Sequence, residues 1–122
     1  MEKVQVTAES WAELKASKAL VLVELHKAWT GPCVVLGPTL KAIENALPQP
    51  EKQIIFAMAN VDTLKDVPEF AERASDKSIV PEFWLMLGGK NVHVVKGANP
   101  AALESLVKES VPEIKDENET QY

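Results

Sequence analysis

Residues 28–38 read AWTGPCVVLGP, and the reading of the whole chain turns on them. Trp29, Gly31, Pro32 and Cys33 make four fifths of a thiol–disulfide exchange motif, with Thr30 where its first cysteine would stand. Pro32 suits the first turn of a helix, where a missing N–H costs nothing. Leu36, Leu40, Ile43 and Leu47 follow at helical spacing. Pro38 lies inside that run and should kink it, and Pro48 and Pro50 should end it. Upstream, residues 19–25 (ALVLVEL) form a continuous apolar run, the pattern of a strand buried on both faces as in a parallel sheet. Glu24 is its odd member, a carboxylate in a run that should be dry.

Working outward, residues 3–7 alternate as a short strand, and Ala8, Trp11, Ala12 and Leu14 give residues 8–18 one apolar helical face. Residues 53–62 (QIIFAMANVD) read as the next strand, and 64–75 as a helix made irregular by Pro68. Two apolar runs then flank Gly88, Gly89, Lys90 and Asn91, a hairpin signal. Asn99 as N-cap with Pro100 at the first helical position opens a last helix, its apolar face made by Ala102, Leu103, Leu106 and Val107. The expected order is βαβαβαββα, an α/β fold. No repeat or internal boundary appears: residues 1–110 form one domain and 111–122 an acidic, loose tail.

The 122 residues suffice for one core without staples. With 46% apolar and 25% charged residues the composition is that of a globular domain rather than a disordered chain. A net charge of −5 without a basic stripe argues against nucleic acid as a partner. The longest apolar run is too short for a membrane span, and the opening MEKVQV has no apolar signal core. Cys33 is the single cysteine, so no intrachain disulfide can form, which fits a reducing, cytoplasmic setting. Cys33, His26 and His93 match no zinc spacing, so neither metal nor cofactor is expected.

The element order, with WTGPC after the second strand, resembles thioredoxin over about residues 3–110. VELHKAWTGPC resembles the family's strand-to-active-site segment, with Glu24 at its buried acid. Pro38 falls five residues after Cys33, where the family has its kinking proline; NVD at 60–62 resembles the end of the third strand. VPEF at 80–83 resembles the cis-proline turn with Pro81 in the cis position, and Gly97 follows Pro81 by sixteen residues, the family's own spacing. The resemblance implies the thioredoxin fold, a central mixed sheet with helices on both faces. Within the family, HKAWTGPC, IIFAMANVDTL and VPEFWLMLGGKNVHVVKGANPA resemble the thioredoxin-like light chains of axonemal outer-arm dynein. They also resemble the thioredoxin domain of ciliary thioredoxin–nucleoside diphosphate kinase proteins. This implies a subunit of the ciliary or flagellar axoneme whose partner is a dynein heavy chain or another outer-arm subunit.

Three chemical positions depart from the family. Thr30 replaces the nucleophilic cysteine, Met58 stands where many members have a lysine beside the buried acid, and His26 replaces a tryptophan. Disulfide reduction needs one thiol to attack and a second to resolve. The Thr30 hydroxyl is too weak an acid for the first part. Cys33 matches the resolving position, where burial favours an inert thiol and the helix N-terminus favours thiolate; burial usually dominates. Glu24 matches the acid that shuttles a proton for that thiol in the family; with the disulfide cycle lost, the expectation here is a buried polar group. His26, seven residues before Cys33, lacks a third orienting residue for a Cys–His nucleophile pair. By the same resemblance a peptide would lie across Trp29, Gly31 and Pro32, Val80 and Pro81, and Gly97 and Ala98, by strand-like backbone pairing. These residues would equally serve geometry alone. The leading expectation is therefore a protein-binding subunit with dithiol reductase activity absent or weak. The alternative is a monothiol oxidoreductase or, were Thr30 an engineered change from cysteine, a dithiol one.

Overall fold

A computed structural model describes residues 3–27, 37–75, 82–97 and 99–112. Its centre is β2 (Leu20–His26), the apolar run around Glu24. On one side β2 pairs in parallel with β3 (Ile54–Asn60), which pairs in parallel with β1 (Val4–Gln5). On the other it pairs antiparallel with β4 (Glu82–Leu87), which pairs antiparallel with β5 (Lys90–Lys96). The sheet order is β1-β3-β2-β4-β5, and the expected mixed sheet is the one observed.

Alternation along β2 builds the two layers. Val21, Val23 and Leu25 face a core with Trp11 and Leu14 of α1 (Ala8–Ala16) and Phe70 of α4 (Pro68–Ser75). Leu20 and Leu22 face a second core with Leu40 and Ile43 of α2 (Gly37–Ala46) and Leu103 and Val107 of α5 (Pro100–Ser110). Helices thus cover both faces, and the middle strand is dry on each.

Local chemistry sets the element ends. Thr7 caps α1 in a reciprocal box with Ser10: the Ser10 amide donates to Thr7 Oγ1 at 3.0 Å and the Thr7 amide to Ser10 Oγ at 2.7 Å. Asn99 Oδ1 accepts from the Ala102 amide at 3.2 Å, and Pro100 opens α5 as expected. Gly88 and Gly89 have φ of 62° and 80°, the left-handed pair that a two-residue hairpin turn demands. A Cβ on Gly89 would also lie 3.2 Å from the Lys15 carbonyl oxygen.

Two segments differ from expectation. Pro50 does not only stop α2; it opens a one-turn helix, α3 (Pro50–Gln53), because proline at a first helical position forgoes no bond. The stretch 64–75 is helical only from Pro68. Before it comes a 3-10 turn, Val61–Thr63, capped by Asn60 Oδ1 accepting from the Asp62 amide at 3.1 Å. Leu64 and Val67 there are buried, so their apolar spacing serves a turn that mimics a helix.

Candidate functional site

Strand register brings the described residues that flank the candidate segments to one end of the sheet. At the carboxyl end of β2, His26 stands opposite Asn60, and Leu25 opposite Glu82, the first residue of β4. Glu82 in turn stands opposite Lys96, the last residue of β5, with Gly97 next. The chain therefore enters 28–36, leaves 76–81 and enters residue 98 at neighbouring points. Trp29, Thr30, Gly31, Pro32, Cys33, Val80, Pro81 and Ala98 themselves lie outside the described residues, as does the expected cis Val80–Pro81 bond. Any kink that Pro38 makes toward residue 36 falls there too; Pro38 itself sits in the first turn of α2. Gly97 has φ of 87°, a left-handed conformation that accounts for glycine.

Glu24 is 4% exposed, in register between Met58 of β3 and Phe83 of β4. It lines a cavity of about 10 Å³ with Lys3, Leu22, Leu40, Phe56, Ala57 and Phe83, room for about one water. The Lys3 ammonium lies 3.9 Å from Glu24 Oε1. Met58 brings no charge, so the cation beside the buried acid comes instead from Lys3, the residue before β1. Sequence reading missed Lys3, because only the β1–β3 register, with Val4 opposite Ala57, places it there.

His26 is half-buried at the mouth of the 28–36 segment. Burial holds its imidazole below the ordinary histidine range, while the charges of Glu24 and Asp62 act the other way. Its Nδ1 is buried and has no hydrogen-bond partner among the described residues. A ring held neutral is a proton acceptor rather than a cation.

The second group that sequence reading missed is on the opposite face. Glu82 is 5% exposed. The Trp84 indole N–H donates to its Oε2 at 2.7 Å, and Arg73 Nη2 of α4 lies 2.9 Å from its Oε1, an ion pair without hydrogen-bond alignment. Trp84 stacks on Phe70 at 5.0 Å and 8°, and Phe70 meets Trp11 edge-on at 4.6 Å. The Trp11 indole N–H donates to Glu69 Oε2 at 3.0 Å, and Lys15 pairs with the same oxygen. The Lys15 bond first, and the Trp11 bond after it, hold the Glu69 carboxyl below its usual range against the opposing effect of burial. Among the described residues no group of three or more His, Cys, Asp or Glu side chains could hold a metal ion, and no helix is long and apolar enough to cross a membrane.

This sheet order, with both faces covered and an acid buried in the central strand, agrees with a family comparison in which the Thioredoxin profile matches residues 2–109. The chain belongs to the thioredoxin family. It is 30% identical to a thioredoxin of Coprinus comatus over 111 residues, 91% of this chain and 99% of that one. It is also 30% identical to thioredoxin domain-containing protein 6 of Xenopus laevis over 103 residues, 84% of this chain but 15% of that protein. Among solved structures, mitochondrial thioredoxin 3 of Saccharomyces cerevisiae superposes with a TM-score of 0.65 at 25% identity, covering 88% of this chain and 94% of the yeast one.

Proposed function

We propose that the chain is a single-thiol thioredoxin-type protein. It docks an extended segment of a protein partner at the end of the sheet that leads into 28–36, 76–81 and residue 98, and its thiol chemistry is confined to Cys33. The observation that carries this is one cysteine in the chain, at the second position of the motif, with Thr30 at the first. The Cys33 thiolate can attack a disulfide R–S–S–R′, form Cys33–S–S–R and release R′–S⁻. Resolution then requires an external thiol, such as glutathione, which takes R and returns Cys33 as thiolate. Glutathione disulfide should leave one adduct on the chain and none on Cys33→Ser. Insulin reduction coupled to thioredoxin reductase should show no turnover. Cys33-dependent turnover would refute the single-thiol limit, and absence of any adduct would refute the thiol chemistry.

A second reading places the chain as a light chain of an axonemal outer-arm dynein, resident in cytoplasm and axoneme, with a dynein heavy chain or another outer-arm subunit as the docked partner. The resemblance of HKAWTGPC and VPEFWLMLGGKNVHVVKGANPA to those light chains supports it. Co-purification with dynein from axonemes tests it: absence of the chain from dynein fractions would remove this reading and leave the first untouched.

A further inference from the structure

In the order β1-β3-β2-β4-β5, the last strand pairs with β4 on one side and with no strand on the other. The opposite edge, β1, is two residues long, whereas β5 runs for seven, Lys90–Lys96. An edge strand turns alternate N–H and C=O groups outward, a template for one more strand. Val92 and Val94 lie there 43% and 48% exposed, two of the three large apolar side chains left exposed among the described residues. Val94 stands opposite Trp84, which is buried in the α1/α4 core, but that layer stops short of Val94 itself. Val95, by contrast, is buried with Leu103 and Val107 of α5. Val92 has no partner on β4, because Leu85 pairs with His93 and Met86 with Asn91, which makes a bulge.

Charge indicates what fits this edge. The chain carries a net −5, yet β5 (KNVHVVK) holds two lysines and no carboxylate. Lys90 and Lys96 are exposed at its two ends, and neither joins an ion pair among the described residues. Lys96 stands opposite Glu82, but that carboxylate is engaged by Arg73 and Trp84. A second copy is a poor occupant. Antiparallel self-pairing over the whole strand, centred on His93, would set Lys90 against Lys96 twice, and parallel self-pairing would set each lysine against its own copy. Like charges directly opposite are destabilising. The bulge and the end lysines thus keep copies apart while leaving the edge open to opposite charge. We propose that β5 docks, by strand addition, an extended acidic segment of a protein partner. Its carboxylates would be spaced to reach Lys90 and Lys96, with apolar side chains between them against Val92 and Val94. This docking needs no thiol and stands apart from the function proposed above.

The probe is a fluorescein-labelled peptide of the length of β5, capped at both ends, with valine and threonine alternating between terminal glutamates. Its control has lysines at the ends. By fluorescence anisotropy the wild-type chain should bind the glutamate peptide at least about tenfold more tightly than the lysine peptide, and amide NMR shifts should centre on 90–96. Lys90→Glu plus Lys96→Glu, both at exposed positions and so with Tm close to that of the wild type, should reverse the preference. N-methylation of alternate peptide residues should abolish binding in one of the two possible patterns, since only one set of peptide amides faces the edge. Cys33→Ser should bind as the wild type does. Equal affinity for the two peptides, or no binding of either, overturns the proposal, and this comparison needs no variant. Binding that survives both N-methylation patterns is charge adsorption without strand addition and refutes it as well. Loss of binding in Cys33→Ser, or shifts confined to residues outside β5, would put the peptide at another site and sink the proposal. A wild-type dimer in sedimentation whose NMR shifts fall on β5 would make a second copy the occupant and overturn the acidic partner.

Discussion

Phe70 is the residue on which the α1/α4 layer depends. It is fully buried, edge-on to Trp11 at 4.6 Å and stacked on Trp84 at 5.0 Å and 8°. Two substitutions separate its contributions. Phe70→Leu keeps most of the volume but removes both ring pairs, each contributing about 0.5–1.5 kcal/mol beyond buried area. The expected loss is therefore about 1–3 kcal/mol. Phe70→Ala adds a cavity between two indoles that cannot collapse across a sheet, which puts it at the upper end of the usual range, about 5 kcal/mol. A single domain typically has about 5–15 kcal/mol in hand, so the leucine variant should fold and the alanine variant should be marginal. Urea unfolding followed by tryptophan fluorescence and by far-UV circular dichroism measures both, with an unchanged m-value showing that the unfolded state is the same. Trp11 and Trp84 both touch the ring, so fluorescence reports the site directly. If Phe70→Leu cost under about 0.5 kcal/mol at constant m, the ring pairs would add nothing beyond burial and the reasoning would fail. Equal losses in the two variants would show that the cavity is not the dominant effect.

Thr30→Cys should form an intrachain disulfide with Cys33 under mild oxidation, with both thiols lost to a thiol reagent; two persistently free thiols would refute the motif reading of WTGPC. His26 gives a signed pH effect. Its folded pKa lies below the ordinary value of about 6.5, so as pH falls past that value the unfolded chain takes up the proton first. Its contribution to stability is thus intact above about pH 6.5 and declines as pH falls toward the folded pKa. Denaturant unfolding across that range should show a shallower loss in His26→Phe than in the wild type, and parallel curves would refute the assignment. Thr7→Ala removes the cap of α1 and one half of its reciprocal box, and should cost about 1 kcal/mol by thermal unfolding; no change would mean that Ser10 alone holds the end.

What the sequence revealed and what it hid divide along the range of the interactions. Elements governed by near neighbours were legible: the Gly88–Gly89 turn, the Asn99–Pro100 start of α5, and the dry strand announced by ALVLVEL. The mixed sheet followed from a resemblance spread over many spaced residues. The 64–75 stretch misled because Leu64 and Val67 bury their side chains from a turn at spacings a helix would also use. Lys3 beside Glu24 and Arg73 beside Glu82 were invisible for another reason. Each pair joins elements that meet only once the strand register is known, and no local pattern encodes which cation finds which carboxylate. Glu24 stood out because it interrupts an apolar run. Glu82 did not, because it opens a strand directly after a proline turn, where a charged residue looks solvated.

The placement of buried charge singles out the end of the sheet that leads into the WTGPC motif. Three polar side chains are buried among the described residues: Glu24, Gln53 and Glu82. Gln53 lies at the other end of the sheet and its amide is committed to backbone, accepting from the Gln49 amide at 3.0 Å and donating to the Pro112 carbonyl at 3.1 Å. The two carboxylates sit one register step apart on neighbouring strands, at the end that leads into 28–36 and 76–81. They face opposite layers: Glu24 lies with Leu22, Phe56 and Phe83, and Glu82 with Trp84 and Phe70. Each has its own cation, Lys3 or Arg73. Buried ion pairs add little net stability over apolar packing, and neither core needs one to close. A chain that kept only the shape of its family would lose such pairs without penalty. Their concentration at one end fits a site where geometry still matters, and it places the constraint in the strands beneath the motif as well as in the motif itself.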